Sequence, residues 1–336
     1  IPQVGTARTF LIFAALLLAV GLGGLALHDR RAALKLAWMP LVLLVLAILL
    51  LRGPLRPPPS GMTQLYEDES PYNLVQVVED EQGYRYLLLN EGQGIHSQWH
   101  PTEIYYARTW GMFLAGPYFN APPYSPDRME RIAIIGLAAG TIARQHDTIY
   151  PGLPMDGIEI DPGIVEAGRQ TMGMTMPNLN VIIEDGRYAL GRLEHDYTMI
   201  GIDAYRVPYV PWHLTTVEFF KIARERLKDG GCLVYNTVET DRHTKRDRVQ
   251  DLMATLGKVF EFTYAFKARS SLNTVLVAVK IPQSPEGGPA GTYAEWPSGA
   301  VSNHPLSVEQ LAGLTHRLEE AGKLPVARMQ DRIRQI

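Results

Sequence analysis

The chain has 336 residues, a formal net charge of -3, 20% charged residues and 46% hydrophobic residues. This length exceeds the ~100 to 200 residues of a typical domain, so more than one structural unit is expected. The charge balance gives no basic surface for nucleic acid. The single cysteine, Cys232, excludes an internal disulfide and a metal site built on several thiolates. We therefore predict no nucleic-acid partner. We also predict no bound metal, although a site built on histidine and carboxylate side chains stays open and no motif supports it.

Two apolar runs, at 10–27 and 36–51, dominate the start of the chain. Their lengths are close to the ~20 residues that a transmembrane helix needs. The alternative is a cleaved signal peptide, which has one short apolar region and a small-residue cleavage site rather than two runs and a proline-rich exit. Residues 1–52 thus predict a transmembrane hairpin in a multi-pass membrane protein. Because the chain begins with Ile1, we expect it to be processed or to be part of a longer membrane protein.

The charges flanking the two runs do not set a membrane orientation. Basic residues in short loops favour the cytoplasmic side. The two sides carry three such residues each: Arg30, Arg31 and Lys35 in the turn, and Arg8, Arg52 and Arg56 at the ends. The orientation therefore stays open, although an enzyme that uses a cytosolic cofactor would need its soluble part in the cytoplasm.

Residues 53–61 are rich in proline, which predicts a stiff, extended linker. In 62–127, three alternating runs at 74–78, 84–89 and 94–99 are separated by turn residues and predict a small antiparallel meander. The stretch 102–118 predicts a helix that begins after an N-cap at Thr102.

From 128 to 281 the pattern changes to short apolar runs, at 131–136, 155–160, 180–183, 198–202 and 232–236. Their spacing of ~20 to 30 residues predicts a parallel sheet covered by helices on both faces. Two further runs, 259–266 and 274–280, are too close for a crossover helix and predict an antiparallel pair at one edge. Seven strands of this kind indicate an α/β class I methyltransferase-like Rossmann fold. The last residues, 282–336, include a Pro/Gly-rich segment, and their pattern predicts a C-terminal helix that begins at Ser307.

The first two strands of this sheet end in residues suited to a nucleoside. Gly136 and Gly140 flank a small-residue turn before a helix, where the backbone can approach a ligand closely, although any tight turn also favours glycine. Glu159, at the end of the second strand, can accept hydrogen bonds from both ribose hydroxyls. A carboxylate here can instead cap the next helix. Because Asp161 precedes Pro162, we assign the cap to Asp161 and the ribose to Glu159.

The third and fourth strands each end in a further aspartate. Asp185 can accept the adenine amino group, and Asp203 lies at the tip of the fourth strand. Ligands of open α/β sheets bind at the carboxyl ends of the strands, so the four tips should share one site. Together they predict an adenosine-type cofactor site. For Asp203, the alternative is a structural cap at a strand end.

Across 69–280 the chain resembles the polyamine aminopropyltransferases, the spermidine synthase family, and especially their membrane-fused bacterial relatives. The similar segments are 69–72 with Val75 and Val77, the glycine-rich 134–141, the ribose segment 156–161, the adenine turn 185–187, the segment opened by Asp203, and 209–216.

The resemblance implies transfer of an aminopropyl group from decarboxylated S-adenosylmethionine, the co-substrate, to a small amine. It implies catalytic roles for Asp203 as the base and for Tyr205 in orienting the amine. Tyr209 or Trp212 can form an aromatic wall, although such residues more often simply pack. The implied cofactor-binding residues are Gly136, Ala138, Gly140, Glu159, Asp185 and Gly186, with His96 where the family places a glutamine.

Two departures concern the amine. The family has an acidic residue where this chain has Ala139, and a second aspartate where this chain has Arg206. A guanidinium repels the distal nitrogen of a diamine, so putrescine is not the expected acceptor.

Two other functions stay open at this point. The chain can be a catalytically silent relative, a subunit of a membrane complex or homo-oligomer, which Ala139 and Arg206 favour. It can also be an ordinary methyltransferase, against which the upstream meander and the Asp203 segment argue. Retained Glu159, Asp185 and Asp203 favour the membrane-anchored transferase.

Overall fold

A computed structural model describes residues 5–90, 92, 94–104, 108–120, 129–205, 210–238, 248–260, 262–267 and 273–281. It begins with three helices: α1 (Thr6–His28), α2 (Arg30–Lys35) and α3 (Met39–Arg52). Asp29 ends α1 and caps α2 by accepting hydrogen bonds from the Arg31 and Ala32 amides. Thr6–His28 and Arg30–Arg52 are each 23 residues long, with a mean hydropathy of 2.6. By length and composition, both segments can cross a bilayer.

A four-stranded antiparallel sheet follows the linker. Its strands, in spatial order, are β1 (Thr63–Glu69), β2 (Leu74–Glu79), β3 (Arg85–Leu89) and β4 (Ser97–Trp99). The three predicted runs correspond to β2, β3 and β4, which confirms the meander. The structure adds β1, whose partly exposed side chains give a weak apolar pattern.

The predicted helix at 102–118 is wrong at its start. The His100 imidazole accepts hydrogen bonds from the Thr102 and Glu103 amides, which holds this stretch in a turn rather than in a capped helix. The helix α4 (Thr109–Met112) begins later and continues as a 3-10 helix, Phe113–Phe119. Pro117 lies inside that segment and cannot donate the backbone hydrogen bond of a regular α-helix.

The second sheet has seven strands and confirms the predicted Rossmann-like fold. In chain order the elements are β5 (Ile132–Ile135), α5 (Thr141–Ile149), β6 (Met155–Glu159), α6 (Pro162–Thr171), β7 (Leu179–Ile183), α7 (Gly186–Arg192), β8 (Tyr197–Ile202), a 3-10 turn (Trp212–Leu214), α8 (Val217–Arg226), β9 (Leu227–Val238), α9 (Arg248–Leu256), β10 (Phe262–Lys267) and β11 (Asn273–Val279). The spatial order is β10-β11-β9-β8-β5-β6-β7. Strands β5 to β9 are parallel, and β11 pairs antiparallel with both β9 and β10. The predicted antiparallel pair therefore lies at one edge.

Apolar side chains cover both faces of this sheet. On one face, Phe113 and Trp110 pack with Ile132 and Val277; on the other, Phe219 and Phe220 pack with neighbouring strands and helices. Burial on both faces explains why the parallel strands read as continuous apolar runs. The C-terminal helix predicted from Ser307 lies outside the described residues.

The small sheet packs against the start of the large one. Val75, Val77 and Leu87 share an apolar cluster with Ile164 and Ala167 of α6. In addition, β4 contacts the first turn of the large sheet. The Ser97 hydroxyl accepts a hydrogen bond from the Ala139 amide at 3.0 Å, and Thr141 exchanges two hydrogen bonds with the Gln98 backbone. These contacts fix the turn in which the predicted nucleoside site begins.

Candidate active site

The glycine-rich turn after β5 lies directly against the segment that follows β8. Gly136 has φ +81°, and a Cβ there would lie 2.6 Å from the Ala204 backbone nitrogen. Only glycine combines this conformation with such a close approach. Ala138 also has a positive φ, of 49°, which is uncommon for a residue with a side chain. The turn therefore brings the backbone of the first strand tip next to Asp203.

Gly140 has a similar packing requirement at the start of α5. Its φ is +86°, and a Cβ would lie 2.8 Å from Cγ of Met174. This glycine occupies the N-cap position of the helix and makes no side-chain cap. The first backbone amides of α5 therefore lie next to the end of β5, and no side chain at the N-cap position binds them.

Glu159 lies between the glycine-rich turn and the start of α6. Its Oε2 accepts a hydrogen bond from the Ala138 amide at 2.9 Å, and its Oε1 accepts one from the Asp161 amide at 3.1 Å. Burial raises the pKa of Glu159, and the backbone amides of Ala138, Asp161 and Ile160 act in the opposite direction. Each carboxylate oxygen keeps a lone pair after these bonds, so two ribose hydroxyls can still donate to it.

The cap assigned to Asp161 is confirmed. Asp161 is fully buried, and its Oδ1 accepts a hydrogen bond from the Gly163 amide at 2.9 Å. Its Oδ2 accepts hydrogen bonds from the Ser70 hydroxyl and the Asn73 amide group, both at 2.7 Å. Asp161 therefore caps α6 and joins the small sheet to the large one, which leaves Glu159 as the carboxylate at this tip that can bind a ligand.

Asp185 is held at the third tip by bonds that the sequence did not reveal. Its Oδ1 accepts hydrogen bonds from the Arg187 and Tyr188 amides, and its Oδ2 lies 2.8 Å from Nε2 of His213. The adjacent Gly186 is required for packing, because a Cβ there would lie 2.3 Å from Cγ2 of Ile135. The carboxylate is thus preorganised, with a lone pair on Oδ2 left for a donor such as the adenine amino group.

Asp203 follows β8 at the centre of the sheet. Its amide donates to the Ile135 carbonyl at 2.8 Å, which aligns it with the first strand tip. Its Oδ1 accepts a hydrogen bond from Nδ2 of Asn236 at 2.6 Å, and the neighbouring Trp110 indole N–H also lowers the pKa of this carboxyl group. Burial raises the pKa of Asp203 to about 7, against the lowering effect of these two donors. A carboxylate in this range is suited to general-base catalysis near neutral pH.

Sequence reasoning missed Asn236, Trp110 and His213 as members of the site. Asn236 is the polar end of a predicted apolar run, so its strand-tip position was a usable signal. Trp110 is 6% exposed and packs in the core, and nothing in its local pattern points toward Asp203.

The other predicted residues are placed as follows. Tyr205 is partly buried, and burial raises the pKa of its phenol. His96 lies just before β4, where its amide donates to the Leu87 carbonyl at 2.9 Å. Trp212 is 75% exposed in its 3-10 turn. Arg206 and Tyr209 lie outside the described residues.

The described part of the chain contains no group of three or more His, Cys, Asp or Glu side chains that could hold a metal ion.

The strand order and the four strand tips define a protein with a class I methyltransferase-like fold. Residues 120–279 match the family described as "Spermine/spermidine synthase domain". This part of the chain is therefore similar to the spermine/spermidine synthase domain, in agreement with the resemblance given above.

One curated relative is similar in sequence, and two solved structures are similar in fold. The chain is 28% identical over 285 residues to the polyamine aminopropyltransferase of Vibrio vulnificus, an alignment that covers 82% of this chain and 90% of that protein. Its fold is similar to a probable spermidine synthase from Corynebacterium glutamicum, with a TM-score of 0.54, 19% identity, and coverage of 75% of this chain and 99% of that one. The spermidine synthase from Thermotoga maritima gives a TM-score of 0.51 at 16% identity, covering 81% and 88%.

Proposed function

We propose that this protein is a membrane-anchored aminopropyltransferase that uses decarboxylated S-adenosylmethionine and an amine acceptor. The observation that carries the proposal is the position of Asp203. It lies beside the glycine-rich turn, accepts a hydrogen bond from Asn236, and has a pKa that burial raises to about 7. The spermine/spermidine synthase domain and the polyamine aminopropyltransferase relatives support the same function.

In this reaction the acceptor amine must first lose a proton, because amines of pKa near ~10 are mostly protonated at neutral pH. Asp203 accepts that proton. The freed lone pair then forms a C–N bond to the methylene carbon next to the sulfonium. The C–S bond breaks, its electron pair stays on sulfur, and methylthioadenosine leaves. Glu159 and Asp185 hold the nucleoside half, and Tyr205 orients the amine.

The acceptor is proposed to be an amine other than putrescine. Ala139, which stands where the family has an acidic residue, is buried, and its amide is bound to Ser97. Arg206 adds a positive charge two residues after Ala204 in the sequence. A substrate with a second ammonium group at short distance would therefore find less anionic surface than in the family pattern.

The test of this function is a panel of mono-, di- and polyamines, each supplied with decarboxylated S-adenosylmethionine. Release of methylthioadenosine with at least one amine, at a rate above the Asp203→Asn background, is the expected result. If every amine fails while the protein still binds methylthioadenosine, the catalytically silent subunit becomes the better description.

Glu159→Gln is expected to weaken binding of methylthioadenosine by ~1 to 3 kcal/mol, the scale of a charge-assisted hydrogen bond. The amide keeps the shape of the side chain but presents an N–H group to one ribose hydroxyl. Calorimetric titration measures the change. Glu166→Gln on α6 is the matched control, since Glu166 is exposed and its Oε1 bonds only to Gln170 among the described contacts. If the unmodified protein, Glu159→Gln and Glu166→Gln bind methylthioadenosine equally well, the assignment of Glu159 to the ribose is wrong.

Membrane anchoring is supported by the way the small sheet holds both ends of the hairpin. Glu69 accepts a hydrogen bond from the Thr6 amide at 2.7 Å, at the start of α1. Glu67 accepts hydrogen bonds from the Leu55 and Arg56 amides at 2.7 and 2.9 Å, shortly after α3. A hairpin that crosses a membrane twice must return both ends to the same side. Its apolar side chains are largely exposed, with Leu17 at 73% and Leu27 at 92%.

The full-length protein is accordingly expected to remain in the membrane fraction after alkaline carbonate extraction. In sealed inside-out vesicles, added protease should digest the soluble part, because a cytosolic co-substrate requires a cytoplasmic site. Right-side-out vesicles serve as the control and should protect it. Protection with the opposite polarity would contradict catalysis with a cytosolic co-substrate, and release by carbonate would contradict the anchor.

A further inference from the structure

A chain of side-chain amides connects three neighbouring strands to Asp203. Asn273, at the start of β11, donates from Nδ2 to Oδ1 of Asn236 at 3.0 Å. Asn236, near the end of β9, donates from its own Nδ2 to Oδ1 of Asp203 at 2.6 Å. Because β11 is antiparallel to β9 and β9 is parallel to β8, these three residues lie at the same edge of the sheet.

The Asn273 bond fixes which way the Asn236 amide faces. An asparagine amide can point either its oxygen or its nitrogen toward a neighbour, and the surrounding hydrogen bonds decide. Here the oxygen is engaged by a donor from Asn273, so the nitrogen faces the carboxylate. Asn236 can therefore support the ionised form of Asp203, which accepts hydrogen bonds only.

Trp110 provides a second donor from a different element. The indole N–H can donate but not accept, so its effect on Asp203 is to lower the pKa of that carboxyl group and favour the ionised form. Its ring is buried among Phe113, Ile132 and Val277, which leaves it little freedom to turn away. Trp110 is thus a second uncharged neighbour that favours the ionised carboxylate, beside the hydrogen bond from Asn236.

Both donors are uncharged. A cation in contact with Asp203 would bind the carboxylate strongly and lower its basicity. In the part of the chain that the structure describes, no ion pair includes Asp203. Neutral donors fix the orientation of the carboxylate and leave it basic enough to take a proton.

Given the proposed function on which this inference rests, we propose that Asn236 and Trp110 are positioning residues of the transfer reaction. They hold the Asp203 carboxylate so that its free lone pairs face the acceptor ammonium, and they stabilise the ionised form in which it takes the proton. Asn273 acts one step further away by orienting the Asn236 amide.

Asn236→Ala and Trp110→Phe test the two roles separately, each by removing one donor. Each is expected to lower kcat by ~10- to 100-fold with little change in KM for decarboxylated S-adenosylmethionine, since a misplaced reacting group reduces turnover rather than nucleoside binding. Each should also move the acidic limb of the pH–rate profile upward by about one pH unit, because burial persists while a donor is lost. Asn273→Ala should move it in the same direction by less.

Asn120→Ala is the matched control. Asn120 is also a buried amide near β8, but it donates to the Thr198 carbonyl at the opposite end of that strand, at 3.3 Å. Its substitution should leave the acidic limb where it is, even if stability falls. A shift of the same size in this variant would mean that general loosening of the fold, not loss of a donor to Asp203, causes the effect.

A titration independent of activity separates this inference from the proposed function. The carboxyl carbon of Asp203, observed by NMR in protein carrying 13C-labelled aspartate and assigned with Asp203→Asn, should titrate at higher pH in Asn236→Ala and Trp110→Phe than in the unmodified protein. A titration that neither substitution moves overturns the positioning roles, whatever the activity. Absence of transfer with every amine, together with the expected titration shifts, overturns the proposed function instead.

Discussion

Asp203→Asn is expected to lower the turnover of aminopropyl transfer by ~10²- to 10⁴-fold, the range for loss of a general base. The amide has nearly the same shape as the carboxylate, so the strand tip and the nucleoside pocket formed with Glu159 and Asp185 should stay intact. An amide cannot accept a proton from an ammonium group. The loss should therefore appear in kcat, while the affinity for methylthioadenosine stays near that of the unmodified protein.

Asp196→Asn is the matched control for this experiment. Asp196 is an exposed aspartate that precedes the same strand, β8, at its other end. Its substitution should leave turnover unchanged. The measurement is single-turnover transfer with the best amine of the panel, supplied at saturating decarboxylated S-adenosylmethionine. Transfer by Asp203→Asn at more than a tenth of the normal rate would rule out the base role.

The large sheet could be predicted because its local pattern and its tertiary environment agree. Strands buried on both faces give continuous apolar runs, and the intervening helices give regular spacing, so all seven strands were found. The segment around Thr102 is different. Its backbone donors bind the His100 imidazole, which is a side-chain contact that helix periodicity does not report.

For the candidate site too, the sequence predicts some residues and misses others. Glu159, Asp185 and Asp203 were found because each lies at or just beyond the end of a strand, and parallel strands bring their carboxyl ends to one edge. The groups that hold these carboxylates were missed. Trp110 and His213 come from elements whose position against the sheet depends on tertiary packing, so no spacing rule connects them to their partners. Their roles, like those of the carboxylates, stay predictions that the experiments above test.

The same burial that suits Asp203 to catalysis should cost the protein stability, and Asp203→Asn should recover it in a pH-dependent way. The pKa of Asp203 is raised to about 7 in the folded chain, from an ordinary value of 3.8. Below about pH 4 the carboxyl group is protonated in both states and contributes no difference. Between about pH 4 and 7 the unfolded chain releases the proton while the folded chain keeps it. The free energy of unfolding therefore falls as the pH rises through this window.

Above about pH 7 the group is ionised in both states and the cost levels off, at an upper limit on the order of 4 kcal/mol for a pKa difference of this size. Asparagine does not titrate, so the variant avoids this fall in the free energy of unfolding. The gain is smaller if the new amide forms a weaker hydrogen bond with Asn236 than the carboxylate does. We expect the Tm of Asp203→Asn, followed by tryptophan fluorescence in detergent, to match that of the unmodified protein near pH 4. At pH 8 the Tm of the variant should be higher than that of the unmodified protein by up to about 10 °C.

Asp196→Asn again provides the comparison, because an exposed aspartate has no burial cost to recover and its Tm should follow the unmodified protein at every pH. If the Tm of Asp203→Asn also equals that of the unmodified protein from pH 5 to 8, then Asp203 ionises at its ordinary pKa in the folded chain. Its carboxylate would then be a structural acceptor for the Asn236 amide and not a base prepared by burial. A difference that grows between pH 4 and 7 and then stays constant would instead show that the fold holds a destabilising carboxylate at the strand tip where the transfer reaction needs a base.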